Sequence, residues 1–323
     1  MIKEITVKEA VSFQIKKYED ADKEVWNDFL LNCKNYHFMF NRNFMDYHSD
    51  RFEDFSLMFK NDKDKIVALL PGNIKDNIFY SHQGLTFGGF LIDRDCRAID
   101  MLSLFSQLKG FLKENYIKKI IYKCIPNIYH HYPAQEDLYA LFLNEARLYR
   151  RDISTSINLQ EKIYYSKSKK WAINKAKKSG LTYEEVEQPS IVWEVIREVL
   201  GQHHHQKPVH NETEIDLLKS RFPNNIRAYK CCFESQIVAA AVTFETEKVV
   251  HLQYLASNDK GREERALDIL IDFLINKNMQ STKIFDFGIS NEKEGKFLNT
   301  GLINQKESFG ARAIVHDFYS IDV

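Results

Sequence analysis

The chain is poor in the features that staple, span or polarise a protein. Its five cysteines are odd in number, contain no C-x-x-C pair and sit mostly in apolar stretches. That pattern suits buried reduced thiols and argues against a disulfide framework or a zinc site built on cysteine. Six prolines and 12 glycines in 323 residues exclude a low-complexity or collagen-like chain. Neither sign of charge is in excess: Lys+Arg 45 balances Asp+Glu 45, for a formal net charge of +0. No global field therefore draws the protein to nucleic acid or membrane, and any polyanion site must be local. Apolar runs long enough to cross a bilayer are missing, and the opening MIKEITVKEAVSFQIKKYEDADKEV has no apolar centre of signal-peptide type. The expectation is a cytoplasmic protein with no membrane insertion. What is present is 44% hydrophobic residues over a length that suits about two domains.

Periodicity gives those domains an internal order. From Leu181 onward, LTYEEVE reads as a strand and PSIVWEVIREVLGQ as a helix with an apolar stripe from Ile191 to Leu200, Pro189 fitting its first turn. A second helix, ETEIDLLKSRF, leads to three strands, IRAYKCCF, QIVAAAVTFE and KVVHLQYLAS, with tight turns at Glu234-Ser235 and Thr246-Glu247. Helix REERALDILIDFLINKN, strand KIFDFGIS, helix EKEGKFLNTGL and a closing strand near ARAIVHDFYSI complete the order β-α-α-β-β-β-α-β-α-β. The first half repeats it less cleanly: strand VSFQIKKYE, helices KEVWNDFLLNC and NRNFMDYHSDRF, strands around DFSLMFK, KIVALLP and NIFYSHQGLTFGGF, helix RAIDMLSLFSQLKGFLKEN, strand KKIIYKC, helix QEDLYALFLNEARL and strand RDISTSIN. A duplicated mixed α/β unit follows, with domains at 1–160 and 161–323.

Several stretches carry potential chemistry. HLQYLASNDKGREERALDIL delivers a strand through a charged loop into a helix start, whose unpaired N–H groups and partial positive charge suit an anion. On that strand His251 shares a face with Gln253 and Leu255, opposite Leu252, Tyr254 and Ala256. FDFGIS places Asp286 on a strand with Gly288 allowing close backbone approach. Three consecutive histidines in HHHQKPVH cannot face one ion from a helix, so no metal is expected. Six lysines between Lys167 and Lys178, with Trp171 among them, can meet phosphates or form a solvated face. In the first half, Ser81 and His82 are polar within the apolar YSHQGLTFGGF, whose glycines open the sheet or make a bulge. In NFMDYHSDRFED, Arg51 can hold a phosphate or carboxylate, or pair with Glu53 or Asp54.

The element order, its duplication, KSKKWAINKAKKSGL at the junction and LNTGLINQKESFGAR near the end together resemble the FemAB-like branch of the GNAT acyltransferase superfamily. The resemblance implies two tandem GNAT-like domains, a degenerate acceptor-side one and a donor-binding, catalytic one. It implies an N-acyltransferase in which acyl-CoA threads a gap between two strands, along Tyr254, Leu255, Ala256 and Ser257. The diphosphate then sits on Lys260, Gly261 and Arg262. GNAT loops usually read Q/R-x-x-G-x-G/A; here Asn258 replaces the first residue and Glu263 a small one, leaving only Gly261 in register. The acceptor is an amine of a small or cell-envelope-related molecule. By the same resemblance His210 is a base or substrate contact, His251 and Asp286 are catalytic, and Tyr319 protonates the leaving group. From residue type and placement, Arg51, His82 and Gln253 are candidate substrate contacts, and Lys306 either pairs with Asp286 or contacts substrate. Within the branch the alternative donor is an aminoacyl-tRNA, used to extend peptidoglycan precursors; the long helical hairpin arm of that class is missing after Leu181. A third reading is a non-catalytic binding protein on a degenerate GNAT fold.

Overall fold

The computed structural model describes residues 11–204 and 208–323, the side chains of 202–204 excepted. The triple histidine read above for metal therefore lies outside the described side chains. The residues form two compact units, one of 11–152 with Val315–Val323, the other Ile153–Ile314. The chain passes between them at Asp152, somewhat before Gln160, and the last residues return to the first unit because Phe318–Asp322 pair antiparallel with Lys119–Lys123.

In chain order the first unit contains β1 (Gln14–Lys17), α1 (Lys23–Leu30), α2 (Arg42–Met45), β2 (Glu53–Asp54), β3 (Leu57–Lys60), β4 (Ile66–Leu70), β5 (Asn73–Lys75), β6 (Ile78–Tyr80), β7 (Leu91–Ile92), α3 (Ala98–Glu114), β8 (Lys119–Lys123), α4 (Glu136–Leu143) and the start of β9 (Arg147–Asn158). β1, β3, β4 and β7 form an antiparallel sheet, whereas β6 pairs in parallel with β8. Alternation in KIIYK turns Ile120 and Tyr122 into a core where the Phe59, Phe90 and Phe105 rings interlock. Burial of each such side chain is worth about 1.5–3 kcal/mol. The glycines of FGGF serve this packing: a Cβ on Gly88 would lie 2.0 Å from the Ser81 carbonyl oxygen, and Gly89 has φ +93 against the Tyr122 hydroxyl. The helix expected over NRNFMDYHSDRF is only α2 followed by a single 3-10 turn, Asp46–His48. Aromatic packing of Phe44, Tyr47, His48 and Phe52 takes the place of further helical turns.

The second unit continues with α5 (Lys167–Ala176), β10 (Thr182–Val186), α6 (Trp193–His204), α7 (Glu212–Arg221), β11 (Ile226–Phe233), β12 (Gln236–Glu245), β13 (Val249–Ser257), α8 (Asp259–Glu263), α9 (Ala266–Asn278), β14 (Ile284–Ile289), β15 (Asn291–Glu292), β16 (Phe297–Leu298), α10 (Thr300–Ser308) and the start of β17 (Arg312–Asp322). β10 to β13 form an antiparallel meander; β13 pairs in parallel with β14, and β14 antiparallel with the end of β9. Glu234 and Ser235, at φ +48 and +68, make the tight turn between β11 and β12. Helix starts are capped as their sequences suggest: Ser166 accepts from the Lys169 amide, Asn211 from Glu214, and Asn299 from Leu302.

Two helices differ from their sequence reading. The helix expected over 262–278 is split into α8 and α9 by Arg265, which adopts φ +63. The helix expected over 292–302 starts later, at Thr300, because Lys293, Glu294 and Gly295 all take positive φ (+51, +54 and +85) and turn the β15–β16 hairpin instead.

Candidate active site

The second unit's chemistry gathers where β13 and β14 part. Their parallel pairing covers only Val249–Ile284, Val250–Phe285 and His251–Asp286. Beyond it β13 runs on to Ser257, and no described strand pairs with that edge. The result is an open backbone edge starting at His251.

A bulge decides which side chains share a face there. Val242 of β12 pairs with Tyr254 and Thr243 with Leu252, so Gln253 is the extra residue. Val250 and Leu252 enter the core beneath α9, and Leu255 also packs on that core. His251 and Tyr254 therefore lie together on the opposite face. Simple alternation groups His251 with Gln253 and Leu255; the inserted residue shifts the phase by one and places Tyr254, not Leu255, on the face of His251. Phe244, the cross-strand partner of His251, has its ring 6.3 Å from that of His210, and His210 Nδ1 lies 2.6 Å from the Tyr254 hydroxyl. Trp193 packs edge-on to Tyr254, with ring centroids 5.0 Å apart. One face thus brings together His210, Phe244, Tyr254 and His251.

Asp286 completes it from the neighbouring strand. Its carboxyl is fully buried; Oδ2 lies 2.6 Å from His251 Nδ1, and Oδ1 accepts from the Ser154 hydroxyl (2.8 Å) and the Gly288 amide (3.3 Å). A carboxylate beside Nδ1 keeps the proton on that nitrogen and leaves Nε2 with its lone pair. Nε2 forms no hydrogen bond within the described residues, and the side chain keeps 12% exposure. Gly288 has φ +74, and a Cβ there would stand 3.3 Å from His251 Cε1. Lys306 of α10 is buried and donates to the carbonyls of Gly288 (2.8 Å) and Ile289 (2.7 Å). Burial pushes its ammonium down to about 8, with nearby Asp286 opposing the shift.

The helix start proposed for a diphosphate is occupied by its own side chains. Asn258 accepts the Gly261 amide (2.9 Å), Lys260 pairs with Glu264 (2.8 Å) and Glu263 (3.2 Å), and Arg262 pairs with Asp259 while donating to the Ser257 carbonyl (2.9 Å). Ser257 bonds the Val238 carbonyl, and a Cβ on Gly261 would stand 2.3 Å from that same oxygen. Gly261 is thus explained by packing against β12, and Ala256 is buried beside it. α5 is more open. Lys169 is buried in an ion pair with Asp268, Lys177 reaches Asp272 at 3.7 Å and Lys175 donates to the Glu263 carbonyl. Lys167, Lys170 and Lys178 are exposed, and Trp171 is 60% exposed with the Arg265 guanidinium 5.9 Å from its ring.

The remaining candidates belong to the first unit. Tyr319 on β17 pairs with Tyr122 and packs against that unit's core. Arg51 lies 4.0 Å from Asp50 and 5.9 Å from the Tyr47 ring; Asp54 is taken by buried Arg42 instead. His82, at φ +64, is buried and stacks on His48 at 5.3 Å. Burial first, then the neighbouring His48, push His82 down to about 3, and burial also lowers His48. Both folded values lie below that of the free side chain, so the unfolded chain binds more protons below about pH 6.5. Stability should fall as pH drops from there towards 3. Thermal melts across this range should show a shallower loss for His82→Asn, which tolerates positive φ; parallel curves would discount the pair.

The sequence reading missed Ser154, which fixes the far oxygen of Asp286. Its signal was the S-T-S alternation in RDISTSIN, which puts Ser154 and Ser156 on one face of a strand. Among the described residues no group of His, Cys, Asp and Glu is placed to hold a metal ion, and no helix is long and apolar enough to cross a membrane.

No family model and no curated protein matches the sequence. Solved structures do. In both units the fold is that of a GNAT acyltransferase domain, repeated in tandem: the chain is similar to a tandem GNAT protein from the clavulanic acid biosynthesis pathway, at TM-score 0.54 and 9% identity, covering 96% of this chain and 98% of that one. More particularly, the fold resembles that of FemX. FemX matches at TM-score 0.67 with 8% identity over 94% of this chain and 96% of its own. The C-terminal domain of a protein assigned as a lysylphosphatidylglycerol synthetase from Agrobacterium fabrum matches at TM-score 0.59 and 12% identity, over 93% and 91%. At these identities the likeness is one of fold.

Proposed function

We propose that the protein is an N-acyltransferase in which His251, oriented by Asp286, removes the proton from an acceptor amine. The observation that carries this reading is the Asp286–His251 pair at the point where β13 and β14 part. The amine nitrogen attacks the acyl carbonyl, its proton passes to Nε2, and the bond from carbonyl carbon to carrier breaks. Backbone N–H groups on the open edge of β13 suit the developing oxyanion. His210, held by Tyr254, lies on the same face and is assigned to the acceptor side. The FemAB-like resemblance of the sequence implies an acceptor related to the cell envelope, and the likeness of fold to FemX agrees with that resemblance.

Acyl-CoA is the donor that the GNAT fold suggests. A second reading, aminoacyl-tRNA, is favoured by two observations. The bases of the α8 loop are already paired to Asp259, Glu263 and Glu264. α5 meanwhile presents Lys167 and Lys170, unpaired among the described residues, beside exposed Trp171, the combination of charge and stacking surface that suits a polynucleotide end. Calorimetric titration with acetyl-CoA, desulfo-CoA and total tRNA separates the donors. tRNA binding that weakens with salt and with Lys167→Glu/Lys170→Glu is the expected result. Saturable CoA binding indifferent to those charges would return the donor to acyl-CoA, and silence with both would leave a binding protein without a donor.

A further inference from the structure

We infer that Lys306 is a positioning residue, a clamp that holds the irregular Gly288–Ile289 end of β14 and through it sets the Asp286–His251 pair; the inference rests on the reading of His251 as the base. β14 and β9 lose register between Asp286 and Ile289, so the intervening residues are not held by the strand ladder. Gly288 sits there at φ +74, a conformation with no steric reason to persist by itself. Two successive carbonyls at this end of β14, Gly288 and Ile289, accept from a single buried ammonium at 2.8 and 2.7 Å. The same glycine returns its N–H to Asp286 Oδ1 and lies against His251 Cε1. The carbonyl that Lys306 holds and the N–H that reaches Asp286 lie in adjoining peptides joined at the Gly288 Cα, so a displacement of that residue moves a donor to the carboxylate and a wall of the imidazole together.

The clamp is itself anchored. α10 is tied at its start, where the Asn299 amide donates to the Ser290 carbonyl (3.0 Å) and its side chain caps the helix. Lys306 thus spans from a capped helix to the irregular end of β14. It contacts neither Asp286 nor His251 directly, and its effect runs through the peptide between them. Two hydrogen bonds to carbonyls, rather than one to the nearby carboxylate, mark a group placed to shape backbone.

The test uses the full chain. Lys306→Met keeps the length and apolar contacts of the side chain while removing both hydrogen bonds. We expect kcat to fall about 100-fold, as for misplacement of a catalytic group by about 1 Å, with KM little changed. The downfield proton resonance of His251 Nδ1–H should move upfield or broaden in the same variant. Lys306→Ala, with methylammonium added, should recover kcat as the amine refills the site, which separates the clamp from a fold defect. An unchanged resonance with unchanged kcat in Lys306→Met overturns the clamp, as does loss of activity that methylammonium cannot recover with the resonance intact. If the resonance responds to Lys306 but kcat is indifferent to His251 substitution, the clamp stands and the assignment of the base falls.

Discussion

His251→Gln lowers kcat for acyl transfer by about two to four orders of magnitude, the range typical of a lost general base, and leaves the melting temperature close to wild type. The fold tolerates it because the glutamine amide can donate to Asp286 in place of Nδ1–H, so the buried carboxylate keeps a partner. Asp286→Asn is the sharper companion. Asp286 Oδ1 accepts from both Ser154 and the Gly288 amide, so in the variant that position must remain oxygen. The amide nitrogen is then forced towards His251 Nδ1, where it donates, pushing the imidazole proton onto Nε2 and removing the lone pair that takes the amine's proton. A loss comparable to that of His251→Gln is expected, with folding retained. Steady-state kinetics with the donor identified by titration reads both effects. Activity within about threefold of wild type in His251→Gln, a change well below the ordinary loss of a general base, would remove His251 from the chemistry and favour a binding role for the fold.

Sequence alone exposes the meander of β11, β12 and β13 almost to the residue, since alternation and the Glu234-Ser235 turn are local signals. It also singles out His251 and Asp286, because a polar residue in an apolar strand is conspicuous. What it cannot show is that they meet. Their contact depends on the parallel register of two strands separated by α8 and α9, and parallel register leaves no local mark. The bulge at Gln253 is equally silent, because nothing in HLQYLAS says which residue of the partner strand is skipped. The break at Arg265 hides inside a run of good helix formers; tertiary packing of Gly261 against Val238 sets α8 apart from α9. Spacing of charges in EKEGKFL imitates a helix, whereas three consecutive positive φ values close a hairpin. By residue type Lys260 and Arg262 suit a phosphate, yet three carboxylates within five residues of them supply nearer partners.

Lys169→Met costs the second unit about 3–5 kcal/mol, the usual loss when one member of a buried ion pair is removed and the other stays charged. Lys169 and Asp268 each keep only 10% of their side chains exposed, on two helices, α5 and α9, that pack against each other. The Lys169 ammonium also lies 4.2 Å from the Phe309 ring, so water has little access from that side. In the single variant Asp268 remains in this apolar surrounding without its cation. The double variant Lys169→Met/Asp268→Leu tests the cause: burying two apolar chains of similar volume removes the desolvation cost on both sides, so most of the lost stability returns. Hydrogen exchange at the amides of α5 and α9 reads the effect within this unit, avoiding a single unfolding midpoint for a chain with two units. If the double variant is no more stable than the single, the loss reflects packing of the lysine stem rather than the stranded carboxylate. The same experiment bears on the donor. Lys169 faces inward while Lys167 and Lys170 on the same helix stay exposed, so tRNA binding that is lost in Lys167→Glu/Lys170→Glu but kept in the double variant ties the phosphates to the outer face of α5 and to that face's charge alone.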